Sequence, residues 1–152
     1  LIDDSAFVHA SLPAGATRES IARLNRQARK WLLGEWPFPP PELLPYENSP
    51  VWERTYSSPS DREVPTNQCN ELRGMLKQLG VSRMVVGHTP QNRVNAACDG
   101  AVWRCDTGMS AYVMGGTPEA LEIEGGRVRV LRGEDAETQR ATEGRTMFRD
   151  FF

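Results

Sequence analysis

The most telling stretch of this 152-residue chain is Arg83-Met84-Val85-Val86-Gly87-His88-Thr89-Pro90. Its apolar half is typical of a buried strand, and Gly87 and His88 then stand where that strand would end. A helical pattern precedes it, because Thr66 can cap a helix and Gly80 can close it. The inward face of that helix is Cys69, Leu72, Met75, Leu76 and Leu79. This order of helix, glycine turn, apolar strand and polar side chain predicts an α/β fold with a site at the strand's carboxyl end.

Upstream, the pattern predicts one strand and one further helix. A short apolar run over Ala6 to His9 favours a strand, and Thr17 can cap a helix that reaches Leu33. The apolar positions of that helix fall on one face, which is typical of an amphipathic surface helix: Ile21, Leu24, Ala28, Trp31 and Leu32.

A proline-rich segment runs from Gly34 to Pro65, so neither a helix nor a sheet ladder can extend far in it. Five aromatic residues are interleaved with the prolines: Trp36, Phe38, Tyr46, Trp52 and Tyr56. These large apolar side chains predict a long loop pinned to the body of the protein rather than a disordered linker.

The later part of the chain reads as antiparallel. A strand is expected over Ala101 to Asp106, followed by a hairpin in which Gly125-Gly126 joins Leu121–Glu124 to Arg127–Leu131. We therefore expect one domain over residues 1–132 and a polar, mobile tail over 133–152. Three aromatic residues close that tail and could dock onto the body or belong to further sequence: Phe148, Phe151 and Phe152.

Composition narrows the class of protein. With 18 basic and 20 acidic residues and no basic stripe, the chain is not expected to bind nucleic acid. It has no apolar run long enough to cross a membrane and no signal-peptide pattern, which favours a cytoplasmic protein. Because the chain starts at Leu1 rather than at a methionine, we expect it to be a fragment of a longer protein. Targeting signals of that longer protein would then be missing from this chain, so their absence here carries little weight.

The three cysteines, Cys69, Cys98 and Cys105, show no Cys-x-x-Cys spacing. Their odd number predicts reduced intracellular thiols, and the alternative is a Cys98–Cys105 bridge across a hairpin.

The chain has two histidines, and each follows a short apolar run. His9 follows Ala6-Phe7-Val8, and His88 follows the strand described above. Neutral imidazole is the usual nitrogen ligand for zinc, iron and manganese, and the small neighbours Ala10 and Gly87 leave room for an ion. A single histidine is more often a satisfied core or surface residue, but two in such positions favour a metal site.

Four patches, in this order, resemble the calcineurin-like metallophosphoesterases of the phosphoprotein phosphatase superfamily, and most of all the Shewanella-like protein phosphatases. They are Phe7-Val8-His9-Ala10-Ser11-Leu12, similar to the family's Val-His-Gly-Gly-Leu; Pro50-Val51-Trp52-Glu53-Arg54, similar to its Trp-x-Arg; Val85-Val86-Gly87-His88-Thr89-Pro90; and Cys105-Asp106-Thr107-Gly108-Met109-Ser110. The resemblance implies the C-terminal half of a metallophosphoesterase β-sandwich flanked by helices.

The resemblance also implies site residues. His9 and His88 would ligate the same one of two metal ions, which could be manganese, iron or zinc, and Arg54 would bind the substrate phosphate. The alternative for Arg54 is a solvated loop arginine paired with Glu53 or Asp61. Tyr112 could reach the phosphate, although an aromatic residue at that position is more often part of the core.

Asp106 could be a ligand or could cap its turn, and a structural role in the turn is favoured.

The implied activity is hydrolysis of phosphomonoesters, on phosphorylated proteins or small molecules, by attack of a metal-bound hydroxide. The family's Gly-Asp-x-His, Gly-Asp-x-x-Asp-Arg and Gly-Asn-His-Glu motifs, which belong to its N-terminal half, do not occur in this chain. The chain alone is therefore expected to be inactive without that missing half. Two alternatives stay open, a symmetrical dinucleoside-tetraphosphate hydrolase of the same superfamily and a non-catalytic protein-interaction remnant.

Overall fold

A computed structural model of the chain describes residues 1–58 and 63–133. These residues form six strands, two α-helices and a short 3-10 turn over Pro41–Leu43. The helices are α1 (Arg18–Leu32) and α2 (Thr66–Leu79). The strands are β1 (Ser5–Phe7), β2 (Arg83–Val86), β3 (Asn95–Ala97), β4 (Val102–Arg104), β5 (Glu119–Glu124) and β6 (Arg127–Arg132).

Four short strands form the main sheet in the order β1-β2-β4-β3. The first three are parallel, with Phe7 opposite Val85 and Val85 opposite Trp103, whereas β3 pairs antiparallel with β4. The α/β fold class is thereby confirmed. The sequence pattern missed β3, because three residues with half-buried or exposed side chains carry too little apolar alternation to be read as a strand.

The core lies where α2 packs on one face of this sheet. Leu72, Leu76 and Leu79 on the helix are at most 3% exposed, and so are Met84 and Val102 on the strands beneath. Gly80 ends α2 in the left-handed conformation, at φ 64°, which glycine adopts at little cost. A three-residue turn therefore joins α2 to β2, and all four residues of β2 are buried.

α1 starts as expected at the Thr17 cap. The Thr17 hydroxyl accepts from the Ser20 amide and the Ser20 hydroxyl accepts from the Thr17 amide, a reciprocal cap that satisfies two donors. The helix has no fully buried residue, and only Ile21 packs against the core. Leu32 remains 74% exposed, so the apolar face of this surface helix is only partly covered within the described residues.

The predicted hairpin is present as β5 and β6, with all six residue pairs in register. Gly125 and Gly126 both take positive φ, as its two-residue turn requires. Two contacts tie the hairpin to the main sheet: Arg83 donates to the Gly126 carbonyl at 3.0 Å, and the Val94 amide donates to Glu119 at 2.7 Å.

The proline-rich loop is pinned to the body in both halves. In its first half, Pro40 is buried and the Asn48 side chain accepts from the Ala14 amide at 2.8 Å. Tyr56 is buried and donates to the Gln68 carbonyl at 3.2 Å, and the Ala10 amide donates to the Pro50 carbonyl at 2.9 Å. The other four aromatic residues expected to anchor the loop are between 38% and 76% exposed: Trp36, Phe38, Tyr46 and Trp52.

The prediction of three reduced thiols was wrong, and so was the alternative bridge. Cys69 on α2 and Cys98 in the turn after β3 form a disulfide across 29 residues of sequence, with their Cα atoms 5.2 Å apart. Cys105 is the free thiol. The pairing depends on how α2 packs against the β3–β4 turn, a contact that cysteine spacing along the chain does not encode. The thiol count therefore no longer supports a reducing compartment.

Beyond Gly133, the predicted tail and its residues Phe148, Phe151 and Phe152 lie outside the described part of the chain. No helix within residues 1–58 and 63–133 combines the length and apolarity needed to cross a bilayer.

Candidate metal centre

The two histidines meet at one edge of the sheet. His9 follows the end of β1 by two residues, and His88 follows the end of β2 by two residues. Because β1 and β2 are neighbouring parallel strands, their carboxyl ends open at the same edge. Nε2 of His9 lies 3.0 Å from Nδ1 of His88, and the ring centroids are 4.8 Å apart.

The backbone at His88 has an uncommon conformation. Its φ is +68°, and the Thr89 amide donates to the Gly87 carbonyl at 2.8 Å, which together describe a γ-turn of the rare, strained kind. A non-glycine residue in such a region costs about 1–3 kcal/mol and persists only where its surroundings impose it. One of these constraints is the Gly87 amide, which donates to the His9 carbonyl at 2.9 Å and ties both strand ends together.

The surroundings of His88 favour its neutral form. Burial, the positive charge of Arg54 and His9 lower the pKa of His88 below its usual range, and the Trp52 backbone and the Asp106 carboxylate oppose that shift. Nε2 of His88 is buried without a hydrogen-bond partner in the described part of the chain. The Trp52 ring meets the imidazole edge-on at 5.8 Å. A neutral imidazole is the form that can ligate a metal ion.

The histidine pair fits the metal ion that the resemblance implies. Two nitrogens bound to one ion at about 2.0–2.1 Å lie roughly 3.3 Å apart in tetrahedral geometry and roughly 3 Å apart when the bond angle is near 90°. The 3.0 Å between His9 and His88, which is also a hydrogen-bond distance, lies at the lower end of that range, and their nitrogens suit zinc, iron or manganese. The pair is only part of a ligand set, since no group of three or more histidine, cysteine or acidic side chains could hold an ion within residues 1–58 and 63–133.

Arg54 reaches the same place from the proline-rich loop. Its guanidinium donates to the His88 carbonyl at 3.2 Å and to the Thr89 hydroxyl at 2.8 Å. The alternative pairing with Glu53 is not seen, because Glu53 accepts from the Thr55 amide and hydroxyl and from the Asn48 amide. Asp61, the other proposed partner, lies outside the described residues. Arg54 is exposed beside the histidine pair, where its remaining donors can face solvent.

Sequence reasoning missed two fully buried residues that support this edge. Ser57 and Gln91 are both 0% exposed. The Ser57 hydroxyl lies 2.9 Å from that of Thr89, and the Gln91 amide donates to the Thr89 carbonyl at 2.7 Å and to the Ser57 carbonyl at 2.9 Å. Gln91 follows the Gly-His-Thr-Pro patch directly, which was a usable signal, whereas nothing in its surrounding sequence singles out Ser57.

Two further candidates have clear positions. Asp106 accepts from the Gly108 amide at 2.9 Å, which confirms the interpretation that it shapes a turn. Tyr112 is 98% exposed in the loop that follows, so it is not part of the core.

Comparisons with known proteins support the resemblance carried by the four patches. The chain is 34% identical over 126 residues to Shewanella-like protein phosphatase 2 of Arabidopsis thaliana, and the match covers 81% of the chain and 32% of that protein. An uncharacterised protein of Schizosaccharomyces pombe is 32% identical over 115 residues, covering 71% of the chain and 33% of that protein. An uncharacterised protein of Acanthamoeba polyphaga mimivirus is 28% identical, and the chain covers 55% of it. The chain thus spans about a third to a half of the length of these curated relatives. No family model matches it.

Solved structures show the same fold. A mutant of a cold-active protein tyrosine phosphatase superposes with a TM-score of 0.57 at 26% identity, covering 84% of this chain and 38% of that one. The cold-active protein tyrosine phosphatase of a psychrophilic Shewanella species superposes with a TM-score of 0.53 at 24% identity, over 84% and 38% of the two chains. The comparisons confirm the predicted resemblance of this chain to the Shewanella-like protein phosphatases.

Proposed function

We propose that the protein containing these residues is a metal-dependent phosphatase that hydrolyses phosphomonoesters, and that this chain supplies one part of its site. The observation that carries the proposal is the 3.0 Å approach of His9 and His88, with Arg54 bonded to the His88 carbonyl beside them. Metal-ligating nitrogens and a phosphate-binding cation therefore share one edge of the sheet. The name of the Arabidopsis thaliana relative, Shewanella-like protein phosphatase 2, supports the same reaction class.

His9 and His88 would hold one ion, and manganese, iron and zinc all suit their nitrogens. A pair of such ions, when bound, would supply Lewis-acid activation of water and of the phosphoryl group. The parallel pairing of β1 with β2 fixes the two imidazoles relative to each other, so the chain does not have to order them when the ion binds.

Arg54 would bind the phosphoryl oxygens. A guanidinium offers a planar fork of donors that matches phosphate, and its charge stabilises the negative charge that develops during transfer. One of its nitrogens is held by the His88 carbonyl and the Thr89 hydroxyl, so the fork is oriented before the substrate arrives. Tyr112, on the exposed loop after Asp106, is the second residue that we propose to contact the substrate.

The remaining metal ligands would come from outside these residues. Catalytic metal sites usually have three or more protein ligands, and His9 and His88 provide two. We propose that the N-terminal half of the fold supplies the others, as the resemblance implies. The two ions, the phosphoprotein or small phosphomonoester substrate and a cytoplasmic location are parts of the same proposal.

The test is hydrolysis of para-nitrophenyl phosphate with added manganese. It compares this chain with the native polypeptide that contains it, each with and without His88→Ala, and uses diadenosine tetraphosphate as a second substrate. Activity of the longer polypeptide on the monoester that His88→Ala abolishes would support the proposal. Preference for the dinucleotide would instead favour the hydrolase alternative, and no activity together with no bound metal would favour a non-catalytic interaction module.

A further inference from the structure

We propose that Thr89, supported by Ser57 and Gln91, is a positioning residue that holds the strained turn at His88 in place and aligns Arg54 with it. None of the three is expected to touch metal or substrate. Their role would be to keep the His88 imidazole against His9 and to direct the Arg54 guanidinium to the same edge of the sheet.

The first step of the argument is that the turn needs an external hold. His88 has a φ of +68° at the centre of a γ-turn, a conformation that a side-chain-bearing residue leaves unless its neighbours impose it. The imidazole direction follows from that backbone conformation. A relaxed turn would therefore move Nδ1 of His88 away from Nε2 of His9.

The second step is that Thr89 joins the turn to the loop that carries Arg54. Its hydroxyl accepts from the Arg54 guanidinium at 2.8 Å and lies 2.9 Å from the Ser57 hydroxyl. A hydroxyl has one donor and two acceptor positions, so Thr89 can accept from Arg54 while it exchanges a hydrogen bond with Ser57. The same guanidinium nitrogen also bonds the His88 carbonyl at 3.2 Å, which clamps the turn from its other side.

The third step is that the buried Gln91 side chain bonds both the turn that contains Thr89 and the loop that contains Ser57. Its side-chain amide donates to the Thr89 carbonyl at 2.7 Å and to the Ser57 carbonyl at 2.9 Å, and its backbone amide donates to the Asp106 carbonyl at 2.7 Å. The Asn95 side-chain amide donates to the side-chain oxygen Oε1 of Gln91 at 3.1 Å. Such a fully buried and bonded amide is a rigid anchor, because breaking any of these bonds leaves a buried polar group unsatisfied.

The histidine content of the chain makes the inter-ring contact easy to measure by NMR, and Thr107 offers a matched control. It has two histidines, so the imidazole region of its NMR spectrum contains two rings. Thr107 is also buried, at 2% exposure, and its hydroxyl has no hydrogen-bond partner within residues 1–58 and 63–133. Thr107→Val therefore makes the same chemical change as Thr89→Val without breaking the network.

The experiment measures two quantities in the metal-free and zinc-titrated chain: the nuclear Overhauser effect between the His9 and His88 rings, and the affinity for Zn²⁺. In Thr89→Val we expect the inter-ring signal to disappear and the zinc affinity to fall about tenfold or more, the range typical of residues that orient metal ligands. Thr89→Ser keeps the hydroxyl and should restore both quantities, and Thr107→Val should change neither. Ser57→Ala, which leaves the Ser57 carbonyl in place, should weaken both in the same direction.

An unchanged inter-ring signal in a folded Thr89→Val variant would overturn the proposal, and so would equal effects of Thr89→Val and Thr107→Val. If Thr89→Val fails to fold, Ser57→Ala decides by the same two readouts. The measurement of zinc affinity rests on the proposed metal role of the histidines. The nuclear Overhauser effect between the two rings does not depend on that role. If the wild-type chain shows the inter-ring contact but binds no zinc, the Overhauser measurement alone decides this proposal, because the proposed function assigns the remaining metal ligands to residues outside the chain.

Discussion

Nε2 of His9 lies 3.0 Å from Nδ1 of His88, although 79 positions separate the two residues in the sequence. The contact arises because β1 and β2 are adjacent and parallel, so each delivers its histidine to the same edge of the sheet.

Either histidine substitution should remove the metal-dependent phosphatase activity that we propose for the native polypeptide. We expect His9→Ala and His88→Ala each to lower the rate on para-nitrophenyl phosphate by about 100-fold or more, and the double variant to be little worse than either. The reason is that one ion needs both nitrogens, so the second loss removes nothing further. Independent, multiplying losses would contradict a shared ion.

Arg54→Lys should fail to preserve activity even though it keeps the charge. Lysine loses the planar fork and cannot bond phosphate and the His88 carbonyl in the same arrangement. We expect kcat to fall by about 10²-fold or more, with a smaller change in KM, as for a group that acts mainly in the transition state. Arg73→Lys is the matched control, because Arg73 pairs with Asp99. A loss confined to KM would indicate that Arg54 binds the ground state and the transition state equally.

Breaking the Cys69–Cys98 disulfide should destabilise the fold. The bridge closes a loop across 29 positions of sequence, and cross-linking a loop of that size stabilises a protein by roughly 3–4 kcal/mol through the entropy of the unfolded chain. Cys69→Ser should lower the free energy of unfolding in urea by about that amount. Cys105→Ser is the control, since it leaves the bridge intact. An unfolding free energy that does not respond to dithiothreitol would mean that the bridge is absent in solution.

Cys105 should be nearly inert to alkylation at neutral pH. Burial raises the pKa of its thiol to about 11, so the reactive thiolate is roughly 0.1% populated at pH 8. Labelling by iodoacetamide, followed by intact mass, should accelerate about tenfold per pH unit up to that pKa. The folded-state pKa lies above the ordinary thiol pKa of about 9, so the stability this group contributes is complete below about pH 9 and is lost as the pH rises towards 11. Rapid labelling of the folded chain at pH 7 would contradict the raised pKa of this half-buried thiol.

Local patterns along the chain were sufficient for much of the fold. The capped helix at Thr17, the helix closed by Gly80 and the Gly125-Gly126 hairpin all depend on residues close together in sequence, and each was predicted within a few positions. The identity of the two histidines as candidate ligands was also visible, because each ends an apolar run.

Other features depend on contacts between distant segments, and the sequence could not specify these by local pattern. Strand order and register bring His9 to His88, the packing of α2 against the β3–β4 turn pairs Cys69 with Cys98, and buried Gln91 joins a loop to a turn. Local propensity acts over a few residues, whereas a sheet edge forms only when segments tens of residues apart are packed on a common core. The chemistry of the site is therefore encoded in residue identity, and its geometry in the tertiary fold.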